Sequence, residues 1–214
     1  MQLLPAKIKY ALLTGFEPFG TPRPKDNRSW ETIKQLSGQE ILLDDETVVH
    51  LECHELPVSY SPVADALPSL HLNREFSIVI HCGAGVSGSV KLETLARKKG
   101  YSRAGNQGPL DVPECGQVPG YDTNDVLYTE VDVEELKDRL IEEGWTGVCT
   151  SADAGRYLCE FTYYISLAEG ETTYAKRQLA PPKTLFVHVP PKANDPYDDK
   201  ELASIVRSIV RHLA

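Results

Sequence analysis

The sequence predicts an α/β fold, a three-layer α/β/α sandwich on a mixed, mostly parallel sheet. Three observations predict it. Apolar runs of strand length alternate along the chain with stretches of helical spacing. Several of those runs close on glycine, as in "ALLTGF" and "IVIHCGAG". Apolar residues make up 41% of the 214 residues and charged residues 25%, an ordinary globular balance. A chain of that length buries roughly 70% of its unfolded surface when it folds. No linker or internal repeat divides it, so residues 1–214 are read as one domain.

The elements follow in order. "IKYALLTGF" (8–16) is a first strand, apolar and closed by Gly15. "SWETIKQLS" (29–37) is a helix with Ser29 as its N-cap. "TVVHLECHELPV" (47–58) is a longer strand, stopped by Pro57. "SPVADALPSLHL" (61–72) has helical spacing, but Pro68 predicts a kink or an early end. "FSIVIHCGAG" (76–85) is a buried strand ending in glycines. From 97 to about 128 the pattern fades, and "GNQGPLDVPECGQVPGYDT" reads as loop. A loop of that length inside one domain is often functional. "DVEELKDRLIEEG" (132–144) is the clearest helix, capped by Asp132 and stopped by Gly144. "GVCTSADAG" is strand-like and breaks at Gly155, and a helix from Tyr157 to Ala168 follows at once. "TLFVHV" (184–189) is a further strand, and "DDKELASIVRSIVRHLA" (198–214) an amphipathic terminal helix.

Composition excludes several functions. The net charge of −9, from 22 basic and 31 acidic residues, offers no positive surface to nucleic acid or an anionic membrane. Five scattered cysteines, with no C-x-x-C pair, argue against a disulfide framework and a metal site. No run approaches 18 apolar residues, so no membrane span is expected. The N-terminus lacks a basic region and a cleavage site, which makes the cytoplasm the expected location and "NRS" (27–29) an idle sequon.

One cysteine stands apart. On a helix from Tyr157, residues Leu158, Phe161, Ile165 and Ala168 make an apolar stripe, and Cys159 falls off it beside Thr162, Tyr163 and Ser166. It also lies in the first helical turn, whose dipole favours thiolate over thiol. A thiol nucleophile needs a histidine as base. His81 and His188 each end an apolar strand, at the sheet edge where sites gather. In "LFVHVPP", His188 shares a face with Phe186 and interrupts an otherwise apolar strand. Glu93, after the turn "GAGVSG", is a carboxylate able to orient an imidazole. The residues alone leave structural alternatives open: a core thiol, a buried histidine bonded to backbone, a surface glutamate.

The strings "GFEPFG" (15–20), "HCG" (81–83), "VKLE" (90–93), "DAGRYLCEFTYY" (153–164) and "FVHVPP" (186–191) occur in that order. Together with "NRSW" and "ELPVSY", they resemble the pyroglutamyl peptidase I, or pyrrolidone-carboxylate peptidase, family of cytosolic cysteine peptidases, over nearly the whole chain. The resemblance implies a phosphorylase/hydrolase-like sandwich. It implies a catalytic set of Glu93, Cys159 and His188, and a substrate pocket that includes Phe16 and Phe19, with Asn27 as a further candidate. The activity it implies is release of an N-terminal 5-oxoproline residue from small peptides through an acyl-enzyme on Cys159. His188 would serve as general base and acid, with backbone N–H groups stabilising the oxyanion and no metal or cofactor. The lactam ring is flat and neutral, which suits apolar walls. In that turn Glu17 is expected to order the loop.

Two departures stand out. The turn between His81 and Glu93 is one residue shorter than expected and carries Ser89 without the arginine of bacterial members. The segment 168–184 reads as an insertion. Two other functions remain open at this level. One is a catalytically impaired binding protein for pyroglutamyl peptides. The other is a nucleoside phosphorylase-like enzyme, which would want basic residues near "HCGAGVSGS" that the sequence does not supply.

Overall fold

Short apolar runs become strands that later runs flank on both sides. In a computed structural model describing residues 7–85, 88–192 and 196–214, the elements are β1 (Ile8–Phe16), α1 (Arg28–Ile33), β2 (Glu40–Leu42), β3 (Val48–Leu56), α2 (Tyr60–Asn73), β4 (Ile78–Ala84), β5 (Val90–Glu93), β6 (Leu95–Arg97), β7 (Val126–Tyr128), α3 (Val133–Glu142), β8 (Val148–Ser151), α4 (Leu158–Glu169), β9 (Lys183–Val189) and α5 (Asp199–Leu213). Seven strands form one sheet in the order β2-β3-β1-β4-β9-β5-β8, and β6 pairs with β7 apart from it. The β1/β3, β1/β4, β4/β9 and β5/β8 pairings are parallel, while β2/β3 and β9/β5 are antiparallel. The sheet is therefore mixed and mostly parallel, with helices on both faces, as the sequence predicts.

Strand alternation divides the core in two. Leu13, Ile80, Cys82, Leu92, Leu185 and Val187 pack with α1, α3 and α5 on one face. Phe186 packs on the other face with Tyr60, Val63 and Leu67 of α2 and with Phe161 and Ile165 of α4. The terminal helix α5 starts on a complete capping box, in which the Asp198 carboxylate accepts from the Glu201 N–H and Glu201 reaches back to the Asp198 N–H.

Local expectations fail or are narrowed at three points. Asn27, not Ser29, caps α1; its side chain accepts from the Ser29 N–H. α2 runs through Pro68 without ending, because Tyr60, Val63, Leu67 and His71 are buried along it and that packing offsets the roughly 3 kcal/mol a helical proline costs. α4 is not amphipathic. Every residue of it except Cys159 is buried, since Tyr101, Val118 and Leu127, from the 97–128 region and β7, cover the face that does not meet the sheet. The 168–184 segment continues α4 through a π-helical turn at Gly170–Tyr174, and its tail runs directly into β9. The turn before Glu93 lies partly outside the described residues.

Candidate active site

The site forms where β4, β9 and β5 end beside the start of α4. On β9, Leu185, Val187 and Val189 belong to the first core, so the alternate residues Phe186 and His188 face α4. On β5, Val90 and Leu92 fill the same core and Glu93 faces α4 as well. The antiparallel register sets Lys91 opposite His188 and Glu93 opposite Phe186. Glu93 and His188 thus share a face on neighbouring strands, and His188 Nδ1 lies 2.8 Å from Glu93 Oε1. Glu93 is fully buried and His188 nearly so.

Cys159 is the second residue of α4, and its sulfur sits against Gly83, the β4 residue paired with His188. With Nδ1 occupied by Glu93, Nε2 is the ring atom left for the sulfur. Gly83, opposite His188 in the parallel β4/β9 register, makes the room. A Cβ there would lie 2.8 Å from Cys159 Sγ and 2.8 Å from the Phe186 ring. Burial works against a charged imidazole, but hydrogen bonds and charge interactions with Cys159 and Glu93 outweigh it and raise His188 from 6.5 to about 9. At neutral pH His188 is an imidazolium held between a carboxylate and a sulfur. Among the described residues no side chain caps the first turn of α4, whose N–H groups lie at the same helix start as the sulfur.

His81 takes no part in this arrangement. Its Nδ1 lies 2.7 Å from Thr14 Oγ1 and its Nε2 2.7 Å from Ser166 Oγ, with His71 Nε2 3.0 Å from the same hydroxyl. It is a satisfied core histidine. His50, His54 and His212 pair with Glu40, Glu52 and Glu143 near the surface.

The "GFEPFG" turn sits beside the start of α4, and its two aromatics differ in exposure. Phe16 is the last residue of β1 and is buried in the second core. Phe19 is partly exposed, with its ring 6.1 Å from that of Tyr157, the residue that caps α4. Asn27 is not a free pocket amide. Its Oδ1 accepts from Ser29 N–H and Oγ–H, and its Nδ2 donates to the Glu17 carbonyl at 3.0 Å. Its place is to hold the turn. Glu17 does the same, accepting from the Val58 N–H at 3.1 Å and from Asn106 Nδ2 at 2.7 Å. Sequence reasoning missed Tyr157 as the ring beside Phe19 and Tyr163 as a support; the Tyr163 hydroxyl donates to the Glu93 carbonyl at 2.9 Å. It also missed Gly83, although a glycine in the midst of a buried strand is itself a sign of close approach.

The pyroglutamyl peptidase family profile matches residues 9–212. The chain belongs to the pyroglutamyl peptidase family. It is 31% identical to pyroglutamyl-peptidase 1 of Mus musculus over 207 residues, which is 96% of this chain and 90% of the relative. It is 34% identical over 162 residues to a pyrrolidone-carboxylate peptidase of Saccharolobus islandicus, covering 74% of this chain and 71% of that one. Among solved structures, the pyrrolidone carboxyl peptidase of Fervidobacterium islandicum AW-1 superposes with a TM-score of 0.77 at 25% identity, covering 96% of this chain and 98% of that one. The pyroglutamyl peptidase I of Bacillus amyloliquefaciens gives 0.77 at 20% identity, over 95% of each chain, a likeness of fold. This member of the family has no helix among the described residues that is long and apolar enough to cross a membrane. Among the same residues, no group of three or more His, Cys, Asp or Glu side chains could hold a metal ion.

Proposed function

We propose that Cys159, His188 and Glu93 are the nucleophile, the general acid–base and the orienting carboxylate of a cysteine peptidase that removes an N-terminal pyroglutamyl residue from peptides. The observation that carries the reading is the position of His188 between a carboxylate 2.8 Å away and the Cys159 sulfur. The Cys159 thiolate attacks the carbonyl carbon of the pyroglutamyl residue, and N–H groups at the uncapped start of α4 receive the developing oxyanion. His188 then gives its proton to the departing amine, leaving a thioester on Cys159. Neutral His188 takes a proton from water, whose oxygen attacks the thioester and releases pyroglutamate. The thiolate–imidazolium pair is thereby restored.

Phe16, Phe19 and Tyr157 form the apolar side of the pocket for the neutral lactam ring. Asn27 acts on the pocket through the turn it holds. One domain spanning residues 1–214 carries the activity, a reading supported by one sheet whose strands run from Ile8 to Val189. The five free cysteines favour a cytoplasmic location, with small peptides as substrates. The test is release of a fluorescent amine from a pyroglutamyl amide under reducing conditions. Turnover by the wild type and none by C159A is the expected result.

A further inference from the structure

Two consecutive residues ahead of α4 have a left-handed backbone, Gly155 at φ 94° and Arg156 at φ 47°. Glycine adopts that conformation freely, whereas for arginine it is uncommon and has to be held by the surroundings. Glu160 holds it. This carboxylate is fully buried, beside the nucleophile in sequence. Its Oε2 accepts from the Arg156 N–H at 2.6 Å. Its Oε1 accepts from the Arg97 N–H at 2.9 Å and from Arg97 Nη1 at 3.0 Å. A glutamate at the third helical position ordinarily reaches back to the N–H of the capping residue. Here it reaches one residue further, past Tyr157. Gly100, at φ 108°, makes room for the Arg156 stem, because a Cβ there would lie 2.7 Å from Arg156 Cδ.

Arg97 ends β6, which follows Glu93 after a single residue. The helix that carries the thiol is therefore fastened to the segment that carries the carboxylate at two points about one turn apart. Glu160 grips Arg97, and Tyr163 grips the Glu93 carbonyl. The Arg97 guanidinium also donates to the Ala152 carbonyl at 3.0 Å, which draws the exit of β8 into the same tie.

We propose that Glu160 is a positioning residue for the reaction: its carboxylate fixes the left-handed turn before Cys159 and locks the start of α4 to the Glu93 segment. The proposal rests on the reading of Cys159 as nucleophile. It is tested with E160Q, nearly identical in shape but with only one acceptor oxygen, and E160D, which keeps the charge and loses the reach. The readouts are steady-state hydrolysis of a neutral pyroglutamyl amide and the rate of Cys159 alkylation by iodoacetamide, on protein shown to be folded by circular dichroism. E160Q is expected to lower kcat about 10- to 100-fold, the scale of a small misplacement of reacting groups, with KM within about twofold of wild type. E160D is expected to show the same split with a smaller loss, and it decides the matter alone if E160Q does not fold. Slower alkylation of Cys159 accompanies both. Wild-type kcat and alkylation rate in a folded variant, or a loss confined to KM, would overturn the proposal. An inactive wild-type protein would instead count against the peptidase reading, and the alkylation rates would still test Glu160.

Discussion

Glu93 and His188 meet through one oxygen: Oε1 lies 2.8 Å from the imidazole Nδ1, while Oε2 is buried with no hydrogen-bond partner among the described residues. A buried carboxylate with one free oxygen directs its charge at the one donor it has. The pair therefore holds the imidazole in the tautomer that leaves Nε2 for the sulfur, and it stabilises the charged ring.

E93Q should reduce kcat/KM by roughly 100-fold or more, the scale of a lost general acid–base contribution. The wild-type rate is expected to fall on the alkaline side with an apparent pKa of about 9, where His188 loses its proton. The native value is raised above 6.5, so the matching contribution to stability is fully present below 6.5 and is lost as pH rises through about 9. In E93Q the alkaline limb moves to lower pH. A pH–rate profile of both proteins measures this, and an unmoved limb contradicts the assigned role of Glu93.

The buried pair His71 and His81 gives the protein an acid weakness. Burial lowers His71 to about 4, and burial together with the charge of His71 lowers His81 to about 3. Both are neutral in the native state and charge readily when unfolded. Their contribution is fully present above 6.5 and is lost progressively as pH falls toward 4 and 3. The thermal midpoint should already decline between pH 6.5 and 5, above the range in which ordinary carboxylates titrate. A midpoint that stays flat over that interval would count against the Thr14–His81–Ser166–His71 chain.

G83A should abolish most activity while the sheet survives. The added methyl would lie 2.8 Å from both Cys159 Sγ and the Phe186 ring, so the sulfur must move away from His188. We expect kcat to fall about 100-fold, with circular dichroism unchanged. Full activity would show that the sulfur does not need its seat on β4.

Cys159 should be the first thiol to react with iodoacetamide at neutral pH, and H188A should slow it. Burial pushes Cys53 up to about 12 and raises Cys82 further. Cys115 is exposed and serves as the internal comparison. Peptide mapping that finds Cys115 labelled as fast as Cys159 would remove the argument for an activated sulfur.

Much of this site was legible in the sequence, for physical reasons that also explain the rest. Cys159 and His188 stood out because each breaks an apolar pattern inside a well-marked element. Glu93 was readable only through its string, since β5 is four residues long and too short to show alternation. β2, β6 and β7, of three residues each, left no trace for the same reason. The cap of α1 was misplaced by two residues because Asn27 and Ser29 are both good caps and the distant Glu17 carbonyl decides between them. The full burial of α4 was invisible because its second cover comes from Tyr101 and Val118, brought back from far along the chain. Glu160 carries no signal in the sequence, and only its reach to Arg97 reveals its place.

The most direct test of the central claim is amine release from a pyroglutamyl amide by wild type and C159A side by side, with reductant present. Turnover by the wild type and none by a folded C159A is the expected outcome. Turnover by both would place the chemistry elsewhere, and turnover by neither would contradict the peptidase reading and favour the binding-protein alternative.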